Sequence, residues 1–334
     1  MKNKQLVVSS FANEIRQATT IKETEVPKLK PNQVLVKNTF VGINALYDRE
    51  LYRGKIPYIR VDFPYVYGVE AVGEIVDIGS NVTQARIGDS VTTVKVGTAY
   101  QQYQIINEEE IVLIPKATPE YLTLNPTGVS AYLALKNVGE LQANETIVVS
   151  AAAGGLGHII VQLAKQKGCH VVGICGNPDK VSLLESLNSC DRIINHSEED
   201  IAGVLNREYA NTINVAFDSV GRHIFDAFLK NLAPLGRLVV SGLATEINDG
   251  AFQQITGPRV YESIYWKGAS VRCFMNHLYK EQHPEARNFL FNQYQKGILQ
   301  VKVDPKQFKG IEAIVDASEY LLAGKSCGKV VVSL

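Results

Sequence analysis

Between Thr146 and Ala164 the chain reads Thr-Ile-Val-Val-Ser, then Ala151-Ala-Ala-Gly154-Gly155-Leu156-Gly157, then His-Ile-Ile-Val-Gln-Leu-Ala. β-branched residues open the segment, a stretch with almost no side chain follows, and Leu156, Ile159, Ile160, Leu163 and Ala164 then fall on one helical face. A strand must therefore turn sharply into an amphipathic helix. Small residues in the turn let an anion approach the backbone, and the helix N-terminus offers free N–H groups and the positive end of its dipole. With a further strand at His170–Ile174, residues 146–176 read as the β-α-β unit that seats a dinucleotide pyrophosphate. Gly154, Gly155, Leu156 and Gly157 are the expected contacts, and Gly157 also lets the helix pack closely on the strand.

The alternation continues outward from this unit. Strands are expected at Ile147–Ser150, His170–Ile174, Arg192–Asn195, Asn214–Asp218, Arg237–Gly242 and Ser270–Phe274. Helices are expected at Leu156–Lys167, Asp179–Leu187, Ile201–Tyr209 and Arg222–Leu232. Such repetition predicts a doubly wound parallel sheet covered on both faces. The first 120 residues or so differ: short alternating runs such as Val34-Leu-Val-Lys37 are broken by Gly68, Gly73, Gly79 and Gly88, a pattern of an irregular β-barrel. Thr118–Leu141 reads as helical, Glu285–Lys296 as a helix, and Gly328–Ser333 as a final strand. One domain, 123–278, is thus expected to interrupt another made of 1–122 and 279–334.

Bulk properties narrow the function. Lys plus Arg and Asp plus Glu both number 34, so no net charge favours a nucleic acid or an anionic membrane. No run is apolar enough to span a bilayer, and the N-terminal segment lacks the apolar core of a secretion signal. Five scattered cysteines, at 169, 175, 190, 273 and 327, do not form a disulfide framework, so a cytoplasmic location is expected.

The end of the second strand bears on the cofactor. An acid there would bind the ribose 2′-hydroxyl of NAD. The sequence instead reads Cys175-Gly176-Asn177-Pro178-Asp179-Lys180. Asn177 and Pro178 suit the cap and first position of the next helix, and Lys180 could meet a 2′-phosphate. NADP(H) is therefore expected over NAD, with Gly173, Asn177 and Lys180 beside it.

These residues, with Val41-Gly-Ile-Asn44, Tyr67-Gly-Val-Glu-Ala-Val-Gly73, Thr127-Gly-Val-Ser-Ala-Tyr132, Phe217-Asp-Ser-Val-Gly221, Phe274-Met-Asn-His277 and Gly324-Lys-Ser-Cys-Gly-Lys329, carry a resemblance over nearly the whole chain. The sequence resembles the medium-chain dehydrogenase/reductase superfamily, most of all its zinc-independent quinone oxidoreductase and prostaglandin-reductase-like branch. The resemblance implies a Rossmann domain inserted into a GroES-like β-barrel domain, with an active site in the cleft. It also implies a homodimer joined through the Ser270–Phe274 strand. Further cofactor contacts implied are Ser130, His196, Val220, Gly242, Leu243, Ala244, Phe274, Asn276 and Ser326, the last replacing an Asn common in relatives. Pocket walls are expected from 56–63 and 244–263.

In the superfamily's alcohol dehydrogenases a Cys and a His bind catalytic zinc. Asn44 and Val69 stand at those positions here, and no cysteine precedes residue 169. Glu70 alone cannot hold the metal, so none is expected. Without a Lewis acid, the tractable acceptor is a conjugated carbonyl, a quinone or an α,β-unsaturated ketone or aldehyde. Its enolate needs only hydrogen-bond donors and a proton. Asn44 is the expected amide at the nicotinamide and Tyr52 the expected proton donor, with Tyr47 and Tyr261 as rivals. The alternative is a non-catalytic NADPH-binding structural or RNA-binding protein; neutral charge and the intact glycine turn count against it.

Overall fold

The computed structural model describes residues 1–248, 251–252 and 259–334. It divides into two compact units, residues 1–126 with 303–334 and residues 127–302.

In the first unit the Gln33–Gly42 strand is the organising element. It pairs antiparallel with Glu70–Ile78, Tyr103–Asn107 and Val331–Ser333. The sheet continues to Ser90–Val94 and Ile111–Leu113 on one side and to Phe308–Lys309 on the other. A smaller sheet joins Thr19–Glu25, Lys2–Val8 and Tyr65–Val66. Val34, Leu35 and Val36 are all buried, so the central strand is covered on both faces there. Register places Val331 opposite Gly42, which carries the C-terminal Lys329 to the start of the Ile43-Asn44 turn. Gly68 lies at φ +89 with the Tyr100 ring against its Cα: a Cβ would fall 2.4 Å from that ring. Only glycine meets both conditions.

The second unit holds a six-stranded parallel sheet. Its spatial order is Arg192–Asn195, His170–Cys175, Thr146–Val149, Ile213–Asp218, Leu232–Val240, Ser270–Cys273. Strand order reverses at Thr146–Val149, so the crevice at that strand's carboxyl end is the topological switch point where such sheets bind ligands. The expected strands and helices appear within a few residues, with one larger difference. The fifth strand begins at Leu232 rather than Arg237, because Leu232 bridges Ile213 before a register shift restores pairing at Arg237.

The expected return to the first domain at 279 comes too early. The His283–Gln295 helix belongs to the second unit: Lys136 Nζ meets Glu285 at 2.8 Å, and the Tyr132 and Phe289 rings pack at 4.9 Å. The backbone beyond it is fastened by one helix. Gly157–Gln166 presents His158, Gln162 and Gln166 one turn apart. The His158 ring accepts from Lys302 N–H at 3.0 Å. Gln162 both accepts from Gln300 N–H and donates to Gln300 C=O, each at 2.8 Å. Gln166 donates to Ile298 C=O. Side chains at i, i+4 and i+8 thus satisfy backbone groups of 298–302, which belongs to none of the described strands, and hold it on the second unit.

Candidate active site

At the glycine turn the structure provides what an anion needs. Ala152 N–H donates to Ile174 C=O and Gly154 N–H to Ala151 C=O, closing the turn on the second strand. A Cβ on Gly157 would sit 2.3 Å from the Ala151 carbonyl oxygen and 2.7 Å from Ala152 Cα. The helix therefore starts in contact with the turn. Leu156, its N-cap, supplies no side-chain hydrogen bond, while the His158 and Ile159 N–H groups donate to Gly154 C=O and Leu156 C=O; what the turn offers an anion is the dipole end with the Leu156 and Gly157 N–H groups. His158, wholly buried, points its Nδ1 at Gly154 C=O, 2.9 Å away. Because Nε2 accepts from Lys302, the proton lies on Nδ1, and the neutral ring clamps the Gly154 carbonyl. Sequence reading did not single out His158; its spacing with Gln162 and Gln166 was the available signal.

Other expected contacts of the second unit also cluster at the carboxyl ends of these strands. Asn177 caps the Pro178–Leu187 helix, its side chain accepting from Lys180 N–H at 2.9 Å. His196 lies over Gly176, where a Cβ would come 2.4 Å from Nε2. An acid at 176 would collide with that ring. Asp218 Oδ1 accepts from Ser150 Oγ–H and Val220 N–H, both at 2.9 Å, which ties the Val220 loop to the first strand. Burial raises the Asp218 carboxyl above the usual range. Gly242 lies against Ser219, Leu243 C=O accepts from Glu246 N–H, and Ala244 N–H reaches Ser219 C=O. Phe274 is buried and stacks on Tyr279. Asn276 Nδ2 donates to Ser130 Oγ at 2.6 Å, bringing together two residues 146 apart in sequence. Gly155 is half-buried within the turn.

Gly173 needs correcting. It is fully buried, and a Cβ would meet Cys190 Sγ at 2.9 Å and Ala152 Cβ at 3.2 Å. It is a packing glycine beneath the turn rather than a cofactor contact. Of the expected pocket walls, residues 249–250 and 253–258 lie outside the described residues.

The first unit holds Asn44, Tyr52 and Ser326. Asn44 sits at the N-cap of the Ala45–Tyr52 helix but its side chain does not cap. Asp48 Oδ2 takes the Asn44 backbone N–H at 2.8 Å, which releases the amide for other partners. Its Oδ1 accepts from Lys329 Nζ at 2.8 Å, and its Nδ2 donates to Glu70 Oε1 at 3.0 Å. Lys329 and Glu70 form a buried ion pair at 2.5 Å, with 4% and 1% of their side chains exposed. Gly42 makes room for it: a Cβ there would overlap Glu70 Oε1. Asp48 is buried too, accepting Tyr100 O–H at 2.6 Å. Burial pushes its carboxyl up to about 7, against the hydrogen bonds from Tyr100 and the Asn44 backbone.

Tyr52 is withdrawn as proton donor. It is 2% exposed, packed edge-on to Tyr67 in the core of this unit. Tyr47, one turn earlier, is half-buried, and burial with nearby Tyr58 raises its hydroxyl, so it stays protonated. Tyr261 is exposed in the second unit. Ser326 is buried, next to Cys327 whose N–H is held by Asp304 at 2.6 Å.

Comparison with known proteins agrees with this layout. Residues 30–116 match the alcohol dehydrogenase GroES-like domain family, and residues 155–283 match the zinc-binding dehydrogenase family. The chain is 34% identical to prostaglandin reductase-3 of Bos taurus, over 100% of this chain and 90% of that protein. It belongs to the medium-chain dehydrogenase/reductase superfamily, in the quinone oxidoreductase and prostaglandin reductase branch. A probable quinone oxidoreductase of Leishmania amazonensis is 30% identical over 99% of this chain and 98% of its own. The crystal structure of Escherichia coli quinone oxidoreductase complexed with NADPH has the same fold, with a TM-score of 0.81 at 24% identity, covering 99% of this chain and all of that one.

The second family is described as zinc-binding, and the residues of this chain do not fit the metal. An ammonium occupies the position between Asn44 and Glu70 and uses both as acceptors. A dication would be repelled there and would find one carboxylate and one amide as donors. Among the described residues no group of three or more His, Cys, Asp or Glu could hold a metal.

Proposed function

We propose that this chain is an NADPH-dependent reductase of conjugated carbonyls, acting on quinones or on α,β-unsaturated ketones and aldehydes. The observation that carries the reading is the Asn44 amide, half-buried and held by a buried ion pair where metal-assisted alcohol chemistry would need zinc ligands. The glycine turn and uncapped helix fit the pyrophosphate. The His196 ring lies over Gly176, at the strand end where an NAD enzyme carries its acid, and the chain has glycine there instead. Names of the relatives agree: a prostaglandin reductase, a quinone oxidoreductase, and a neighbour crystallised with NADPH.

When bound, NADPH supplies a hydride. The chain's own part is to orient the acceptor and stabilise the enolate oxygen as charge develops on it. Asn44 donates an amide N–H for that purpose, and Tyr47 takes the place of Tyr52 as the tyrosine of this helix that supplies a proton. Mixing the protein with NADPH and a panel of enones and quinones, and following the nicotinamide absorbance, tests this. Tight NADPH binding without oxidation by any acceptor would point to the binding protein instead.

A homodimer through Ser270–Cys273 is part of the proposal. This strand ends the sheet, pairing with Leu232–Val240 alone among the described residues. Exposed Leu235, Tyr265, Trp266, Val271 and Met275 lie on or beside it in sequence or pairing. An unprotected apolar edge of this kind calls for a partner. Light scattering on wild type and Val271→Arg would show a dimer and a monomer respectively.

A further inference from the structure

Lys329 is 285 residues from Asn44, is 3% exposed, and uses all three ammonium protons: Ile43 C=O at 3.1 Å, Asn44 Oδ1 at 2.8 Å and Glu70 Oε1 at 2.5 Å. Two of those acceptors are consecutive residues of one turn. The same Glu70 oxygen takes one Asn44 Nδ2 proton. A carboxamide rotated by half a turn would set its NH₂ against an ammonium and its oxygen against a carboxylate, donor facing donor and acceptor facing acceptor. The two charges thus permit one orientation only. In that orientation the second Nδ2 proton has no acceptor among the described residues, while Asn44 itself is only half-buried.

We infer that Lys329, with Glu70, is a positioning residue that fixes the Asn44 carboxamide with its free N–H presented to the reacting carbonyl. The inference rests on the proposed reductase function, which assigns Asn44 its substrate contact. A purely structural role would tie the C-terminal strand to the Ile43-Asn44 turn and act on stability alone. Positioning also predicts a selective loss of turnover.

Removing Lys329 alone strands a buried carboxylate and can prevent folding. The test therefore uses K329M/E70Q, which removes both charges and leaves at position 70 a carboxamide able to bond Asn44 in either orientation. Lys329→Arg keeps the cation. With an enone that the wild type turns over, kcat of the double variant falls roughly 10- to 100-fold. KM and the NADPH dissociation constant stay within about twofold, and K329R recovers part of the rate. Independently of turnover, ¹⁵N-asparagine labelling reports the Asn44 side-chain amide, assigned by its loss in N44A. Its two protons are distinct in wild type, the one bonded to Glu70 protected from exchange and the other not, and that distinction is lost in K329M/E70Q.

An amide unmoved in the double variant, or an unchanged kcat, overturns the inference. If the wild type oxidises NADPH with no acceptor, the functional reading fails, and the amide resonances alone decide whether Lys329 orients Asn44.

Discussion

Gly157→Ala probes the nucleotide turn at its tightest point. The added methyl carbon would lie 2.3 Å from the Ala151 carbonyl oxygen and 2.7 Å from Ala152 Cα, both backbone atoms that cannot rotate away. Restoring ordinary van der Waals separation requires the helix start to retreat by about 1 Å. The Leu156 and Gly157 N–H groups ride on that helix start. A hydrogen bond to a phosphate oxygen, near 2.9 Å when well made, is lost at about 4 Å. Bonds to a charged group are worth roughly 1.5–3 kcal/mol each, so losing two weakens NADPH binding by about 3–6 kcal/mol. The expected dissociation constant therefore rises at least 100-fold. Overpacking also costs the fold about 1–3 kcal/mol, which lowers the melting temperature by several degrees. Quenching of protein fluorescence on NADPH titration measures the first quantity and circular dichroism melting the second. A dissociation constant within threefold of wild type, in a variant that melts normally, would refute the reasoning: the helix start would then not be what holds the cofactor.

Three further outcomes follow from other parts of the structure. Asp48 titrates near 7 in the fold because of burial, against about 4 when unfolded, so the native state holds a proton that the unfolded chain has released between those values. Its contribution, about 4 kcal/mol, is complete below pH 4 and lost as pH rises through 7. The melting temperature of wild type relative to Asp48→Asn should accordingly fall across that window, and parallel curves would exclude the effect. Gln162→Leu leaves the N–H and C=O of Gln300 without partners. It should destabilise the protein by roughly 1–3 kcal/mol in urea unfolding, at about 0.5–1.5 kcal/mol for each of the two hydrogen bonds. Gly176→Asp alone should fail to confer NADH use, because the new side chain meets the His196 ring, whereas Gly176→Asp with His196→Ala should gain it; steady-state rates with each cofactor decide.

The second unit was legible because its signals are local. A strand, a small-residue turn and a helix lie within 20 or so consecutive residues, and each is set by side-chain size and periodicity rather than by distant partners. Asn177 as cap and Pro178 as first helical residue were readable for the same reason and are found so. The expected domain return at 279 came too early for the opposite reason: helical periodicity marks the 283–295 segment as a helix but does not say which core its apolar face, through Phe289 on Tyr132, will join.

The site of the first unit divides along the same line. Sequence by itself, through its resemblance to the superfamily, put Asn44 and Val69 at the positions of the zinc ligands, and a missing thiolate or imidazole is a chemical fact independent of folding. Tertiary structure alone decided what Asn44 does instead. It buried Tyr52 against Tyr67, left Tyr47 half-exposed, and brought Lys329 from the last strand onto Glu70 and the Asn44 amide. A pairing of residues 285 apart arises from strand register, Val331 opposite Gly42, and from the space that a glycine at 42 leaves for a carboxylate. Composition and spacing along the chain carry no trace of either.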